Sequence, residues 1–199
     1  MKYSNQPYLP TLGFDPYHAL DDVRNHFGCL KQDVSPSMSF LCQKTLANIS
    51  FRNNELFPIN INVHQILNWP TLPKIVIEYI FHHELLHLIV PNREIDGVLK
   101  SHPPEFWDLQ KTTFPDSDIV AGYISHCLFS MIKNDKKTER IKVLPNWRKC
   151  TAERFIPIEE FCELNGTRLT GNVLDMDVEL VGRTYYKLGL KYNRPIYVS

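Results

Sequence analysis

The chain has 199 residues, 43% hydrophobic and 22% charged, a balance that suits one folded domain and excludes a disordered or collagen-like chain. Its 22 Lys and Arg equal its 22 Asp and Glu, so the molecule as a whole lacks the basic field expected of a nucleic-acid binder. Five widely spaced cysteines (Cys29, Cys42, Cys127, Cys150, Cys162) form no C-x-x-C pair, which excludes a zinc ribbon or a thioredoxin-type motif and reads as buried thiols in a reducing compartment.

The first residues, rich in Pro, Tyr and Asn, lack the apolar core of a signal peptide and read as a surface coil. Asp15-Pro16 then supplies an N-cap and a first-turn proline, and Ala19, Leu20, Val23 and Phe27 follow at helical spacing until Gly28. From Ser39 the pattern turns strand-like. Residues 46–51 and 56–63 flank Arg52-Asn53-Asn54-Glu55, and Ile59, Ile61 and Val63 alternate with Asn60 and Asn62, which predicts a hairpin.

Leu72-Pro73 opens the strongest helix, which runs to about Val90 and stops at Pro91. It is apolar on most sides, so it belongs in the core, and its polar residues stand out. Glu78, Glu84 and three histidines also interrupt the apolar run too often for a membrane span. Residues 91–101 read as a loop, and Pro103-Pro104 start a helix to about Lys111. Asp116-Ser117-Asp118 cap a third helix, with a stripe from Ile119 through Met131 to Ile132. The charged run from Lys133 to Arg140 reads as its solvated end. Beyond Lys142 the pattern is irregular and β-rich, clearest where Leu174, Met176, Val178 and Leu180 alternate with acidic residues.

Inside the apolar helix lies His83-Glu84-Leu85-Leu86-His87, a match to H-E-x-x-H. Residues four apart share a helix face, so the two imidazoles can converge on one cation. Zn2+ suits imidazole nitrogens and keeps a position open. Glu84 is then placed to take a proton from a zinc-bound water and pass it to a leaving amine, the chemistry of amide hydrolysis.

A catalytic zinc needs a third protein ligand. The metzincin pattern is excluded, because Val90 and Arg93 occupy the positions of its glycine and third histidine. Among His102, Glu94, Asp96 and Glu105, His102 is preferred, since Pro103-Pro104 can fix the approach of its ring. His82 lies about 100° round the helix from His83 and reads as packing. His18, His26, His64 and His126 are scattered. Glu94, Asp96, Asp108 and Asp118 are candidates to orient the ligand rings, and Tyr123, Tyr185 and Tyr186 to stabilise an oxyanion.

The run Tyr79-Ile80-Phe81-His82-His83-Glu84-Leu85-Leu86-His87-Leu88, followed by Ser101-His102-Pro103-Pro104-Glu105-Phe106-Trp107, resembles the SprT-like and YgjP-like zinc metallopeptidases. The resemblance covers residues 46–108. It implies His83, His87 and His102 as zinc ligands and Glu84 as general base. Pro103 departs from the small residue usual after the third histidine, and no C-terminal four-cysteine ribbon is present.

The expectation is therefore an α+β chain: a small antiparallel sheet packed on a buried zinc-binding helix, with further helices. Residues 1–140 form the metallopeptidase core, and residues 141–199 a β-rich extension packed on it. The expected function is zinc-dependent hydrolysis of protein or peptide substrates in the cytoplasm, without a membrane partner and with nucleic acid not indicated by net charge. Two alternatives stand beside it: an inactive zinc-binding scaffold or regulatory protein, and a metal-dependent hydrolase of a non-peptide substrate.

Overall fold

A computed structural model describes residues 7–27, 36–51, 59–135 and 140–171. Helix α1 (Pro16–His26) begins as its sequence dictates. The Asp15 carboxylate accepts from the Tyr17 N–H at 2.9 Å and Pro16 occupies the first turn. Ala19, Leu20 and Val23 are buried, on the face that meets the central helix.

Strands β1 (Ser37–Leu41), β2 (Ala47–Phe51) and β3 (Ile59–His64) form one sheet in the order β1-β3-β2. The expected hairpin is present: β2 and β3 run antiparallel, with Ala47 opposite Val63 and Ile49 opposite Ile61. Its turn lies outside the described residues. The sheet is nevertheless mixed rather than antiparallel throughout, because β1 pairs parallel to β3. Residues 42–46 carry the chain from one side of β3 to the other, which leaves β1 and β3 pointing the same way. Met38, Phe40, Ile61 and Val63 are buried on one face. On the other, Asn48, Ser50 and Asn62 hydrogen-bond across the strands, giving the period-two alternation of a half-buried sheet.

Helix α2 (Lys74–Ile89) starts after Pro73 and ends before Pro91, as expected. Val76, Ile77, Phe81, Leu85 and Leu86 are fully buried. The helix touches α1, β2 and the two helices that follow it, so apolar residues on nearly every side are what its position demands. The segment read as a loop contains a hairpin, β4 (Arg93–Ile95) and β5 (Val98–Lys100). Its two-residue turn places Asp96 and Gly97 at φ 51° and 72°, the left-handed pair of a type I′ turn.

Helices α3 (Pro104–Thr113) and α4 (Ser117–Cys127) follow. The third predicted helix is shorter than expected. The chain turns at residues 128–131, with Ser130 at φ 66°, and Leu128 and Met131 are buried from that turn rather than from a helix. Ile132 then enters β6 (Ile132–Asp135), which pairs with β7 (Arg140–Val143), so the described ends of the charged run lie in the strands of an antiparallel hairpin and not at a helix end. That hairpin is tied to the main sheet: Leu46 N–H donates to the Ile141 carbonyl at 3.0 Å and Val143 N–H to the Lys44 carbonyl at 2.8 Å.

The part of residues 141–199 that is described departs from the β-rich expectation. After β7 come two 3-10 turns, Pro145–Lys149 and Ala152–Arg154, and helix α5 (Ile158–Leu164). Pro145 and Pro157 remove backbone donors at the entries to a turn and to α5. Ile158, Phe161 and Cys162 supply a one-sided helical stripe. The strand expected at 174–180 lies outside the described residues. Asp116 was expected to cap α4. Its buried carboxylate instead accepts from Thr170 N–H (2.8 Å), Thr170 Oγ1 (3.1 Å) and Gly171 N–H (3.0 Å), pinning the C-terminal segment. Among the described residues, no helix is long and apolar enough to cross a membrane.

Candidate metal centre

His83 and His87 sit one turn apart on α2. His102 lies in the turn between β5 and α3, held by Pro103 ahead of the helix start at Pro104. Its Nε2 is 3.1 Å from the Nε2 of His83 and 3.1 Å from that of His87. A tetrahedral ion with metal–nitrogen bonds of about 2.05 Å has its ligand nitrogens about 3.3 Å apart, so both distances from His102 match that spacing, and the three nitrogens lie within 4.8 Å of one another.

Protonation also fits. The Gln110 Oε1 lies 2.8 Å from His83 Nδ1. A carbonyl oxygen can only accept, so Nδ1 carries the hydrogen and Nε2 presents its lone pair to the cluster. Burial pushes the His83 pKa down to about 4, with the Gln110 hydrogen bond opposing. It pushes His102 down to about 3, helped by the charges of His83 and Arg140. Neutral rings are the form that binds a cation. Together His83 and His87, both half-buried, and the buried His102 can hold a metal ion.

The Phe106 ring forms the floor. It is fully buried, with its centroid 4.8–4.9 Å from those of all three imidazoles. Trp107, one residue on, is partly exposed and lies 5.2 Å from His102.

Glu84 is buried beside the cluster. Burial raises its carboxyl pKa to about 8; the Arg140 charge and a hydrogen bond from the Ile49 backbone act in the opposite direction. These groups share one open cleft of about 250 Å³. Residues 45–49 form one wall, Tyr79 and Ile80 line it from α2, and Trp107 and Arg140 approach from α3 and β7.

Other sequence candidates fall elsewhere. His82 faces the core, its Nε2 3.0 Å from Thr113 Oγ1 and its ring between Phe27 and Phe114. Glu105 is engaged by Arg93: its buried carboxylate accepts from Arg93 Nη1 at 2.9 Å, fastening the β4–β5 hairpin to α3. Glu94, Asp96 and Asp108 are exposed, and Asp118 pairs with Lys111. Tyr123 is a core residue whose O–H donates to the Ile156 carbonyl at 2.7 Å, while Tyr185 and Tyr186 lie outside the described residues. Burial also raises the Tyr123 pKa. His18 pairs with Asp22, and His126 packs against Phe161.

Two site residues were not anticipated. Gln110 had a sequence signal, because Phe106, Leu109, Gln110 and Thr113 follow the i, i+3, i+4, i+7 spacing of a buried face and Gln110 is its amide. Arg140 had none, because it reaches the cleft only through the pairing of β7 with residues 44–46. No family model matches the chain, and no curated protein or solved structure matches it either.

Proposed function

We propose that the chain is a zinc-dependent peptidase of the SprT-like kind. The observation that carries this reading is the convergence of three imidazole Nε2 atoms beside a buried glutamate in one open cleft. Three imidazoles with one side left open are the donor set of a hydrolytic zinc site. When bound, zinc supplies Lewis acidity toward a carbonyl oxygen and toward water.

The protein's own residues do the rest. His83, His87 and His102 hold the ion. Glu84 takes the proton of the attacking water on a carboxylate oxygen and delivers it to the departing amide nitrogen. The raised pKa of Glu84 refers to the metal-free site; a dication alongside favours the carboxylate, the form a base requires. Arg140 takes the part foreseen for a tyrosine. Its guanidinium borders the cleft and its charge reaches both Glu84 and His102, so it faces the negative charge that develops on a substrate oxygen. The apolar faces of Ile49, Tyr79 and Trp107, with Asn48 and Asn92 beside them, suit an extended peptide.

Glu84→Gln tests the mechanism. The variant should bind zinc at wild-type stoichiometry and lose turnover of a peptide library. Full activity in that variant refutes the mechanism, and zinc binding without cleavage by the wild-type chain would make the protein a scaffold.

A further inference from the structure

The contact that prepares His83 for a cation is made by an amide, and an amide has two ends. Gln110 is buried in the seam between α2 and α3. Its Oε1 lies 2.8 Å from His83 Nδ1, and its Nε2 donates to the Tyr79 hydroxyl at 3.4 Å. Turning the amide by 180° would bring the NH2 group to His83 Nδ1. That nitrogen would then have to accept, and the ring hydrogen would move to Nε2. There it would point into the cluster, where His102 Nε2 is 3.1 Å away, and block coordination.

The two orientations are thus a binding-competent and a binding-incompetent form of one site, and the observed one presents the carbonyl end to His83 and the NH2 end to the Tyr79 hydroxyl. We propose that Gln110 is the positioning residue that fixes the His83 tautomer for metal binding. This rests on reading the three histidines as ligands.

A carboxylate at this place would make the ring a stronger donor, as in many histidine-ligated sites.

The test compares Gln110→Leu and Gln110→Glu with the wild-type chain, by competition for zinc against a chromophoric chelator. Long-range 1H–15N spectra of the metal-free wild type report the His83 tautomer. The expected results are an Nδ1–H tautomer at His83 and an affinity loss of about 10- to 100-fold in Gln110→Leu. Gln110→Glu should keep wild-type affinity or exceed it.

Wild-type affinity in Gln110→Leu overturns the inference, as does an Nε2–H tautomer in the wild type. A loss in Gln110→Glu as large as that in Gln110→Leu marks Gln110 as packing only, and also overturns it. Should Gln110→Leu not fold, the wild-type tautomer and the Gln110→Glu affinity still decide. No zinc uptake by the wild type removes the ligand reading itself, which separates that failure from failure of Gln110 alone.

Discussion

His64 makes the acid stability of this fold calculable. The ring is fully buried at the end of β3, where its Nδ1 accepts from the Ile66 N–H at 2.9 Å and caps a 3-10 turn, Gln65–Leu67. It stands edge-on to Trp147, with centroids 4.9 Å apart. Burial lowers its pKa from 6.5 to about 4; the Arg148 charge adds to this and the Gln43 backbone opposes it. The folded ring therefore stays neutral while the unfolded one charges, and a proton on Nδ1 would also end the cap. The stabilising difference is whole above pH 6.5, shrinks as pH falls from there to about 4, and changes no further below. A gap of ~2.5 units at ~1.4 kcal/mol each is ~3.5 kcal/mol in full, of which ~2.5 kcal/mol is gone by pH 4.5. His64→Asn keeps an acceptor for the Ile66 N–H but does not titrate. Urea unfolding of both proteins at pH 7.5 and pH 4.5, metal removed, isolates the effect, since every other titrating group is common to the pair. The wild type should lose about 2.5 kcal/mol more than the variant over that interval. Equal losses refute the assignment of His64 as a buried neutral ring.

Phe106→Ala should cost about 3–5 kcal/mol in the metal-free protein, because a fully buried ring leaves a cavity under three imidazoles, and should also weaken zinc binding. Unfolding curves and chelator competition read the two effects; unchanged zinc affinity would show that the floor does not shape the site. Arg140→Ala should lower kcat by about 100-fold with Arg140→Lys keeping part of it, as expected for a group facing developing charge, and metal content should not change. A pure rise in KM in steady-state kinetics would instead make Arg140 a substrate-binding group. Asp116→Ala removes the acceptor of three hydrogen bonds to Thr170 and Gly171 and should cost about 1–3 kcal/mol. Limited proteolysis should then cut near residue 170 faster than in the wild type, and an unchanged cleavage rate would refute the anchor.

Where local chemistry decides, the sequence was readable. Asp15-Pro16, the prolines flanking α2, and the alternation through Ile61 and Val63 each act within a few residues, and the corresponding elements form where expected. The same holds for the trio: the four-residue spacing of His83 and His87 is a helix property, and His102 is tied to a proline pair. Long-range pairing was not readable. Nothing in Ser37–Leu41 announces a parallel partner in β3, and nothing in the run around Arg140 announces that β7 will lie beside residues 44–46. A local signal for the β4–β5 hairpin does exist: Asp96-Gly97, a strong type I′ pair, sits in the segment expected to be a loop.

The polar residues of α2 show why burial alone does not identify a functional histidine. His82 and His83 are neighbours, both have pKa values lowered mainly by burial, and both find a partner on α3. The difference lies in the helix rotation between them. His82 turns toward Phe27 and Phe114, where Thr113 meets its Nε2 and apolar rings surround it, so that nitrogen is already satisfied. His83 turns toward the cleft, where an acceptor holds Nδ1 and leaves Nε2 facing two other imidazoles. A buried nitrogen with a protein partner completes a core, whereas three imidazole nitrogens converging on an open cleft call for a cation. The choice between packing and chemistry along this helix is therefore made one residue at a time, by which ring nitrogen the residues of α3 engage.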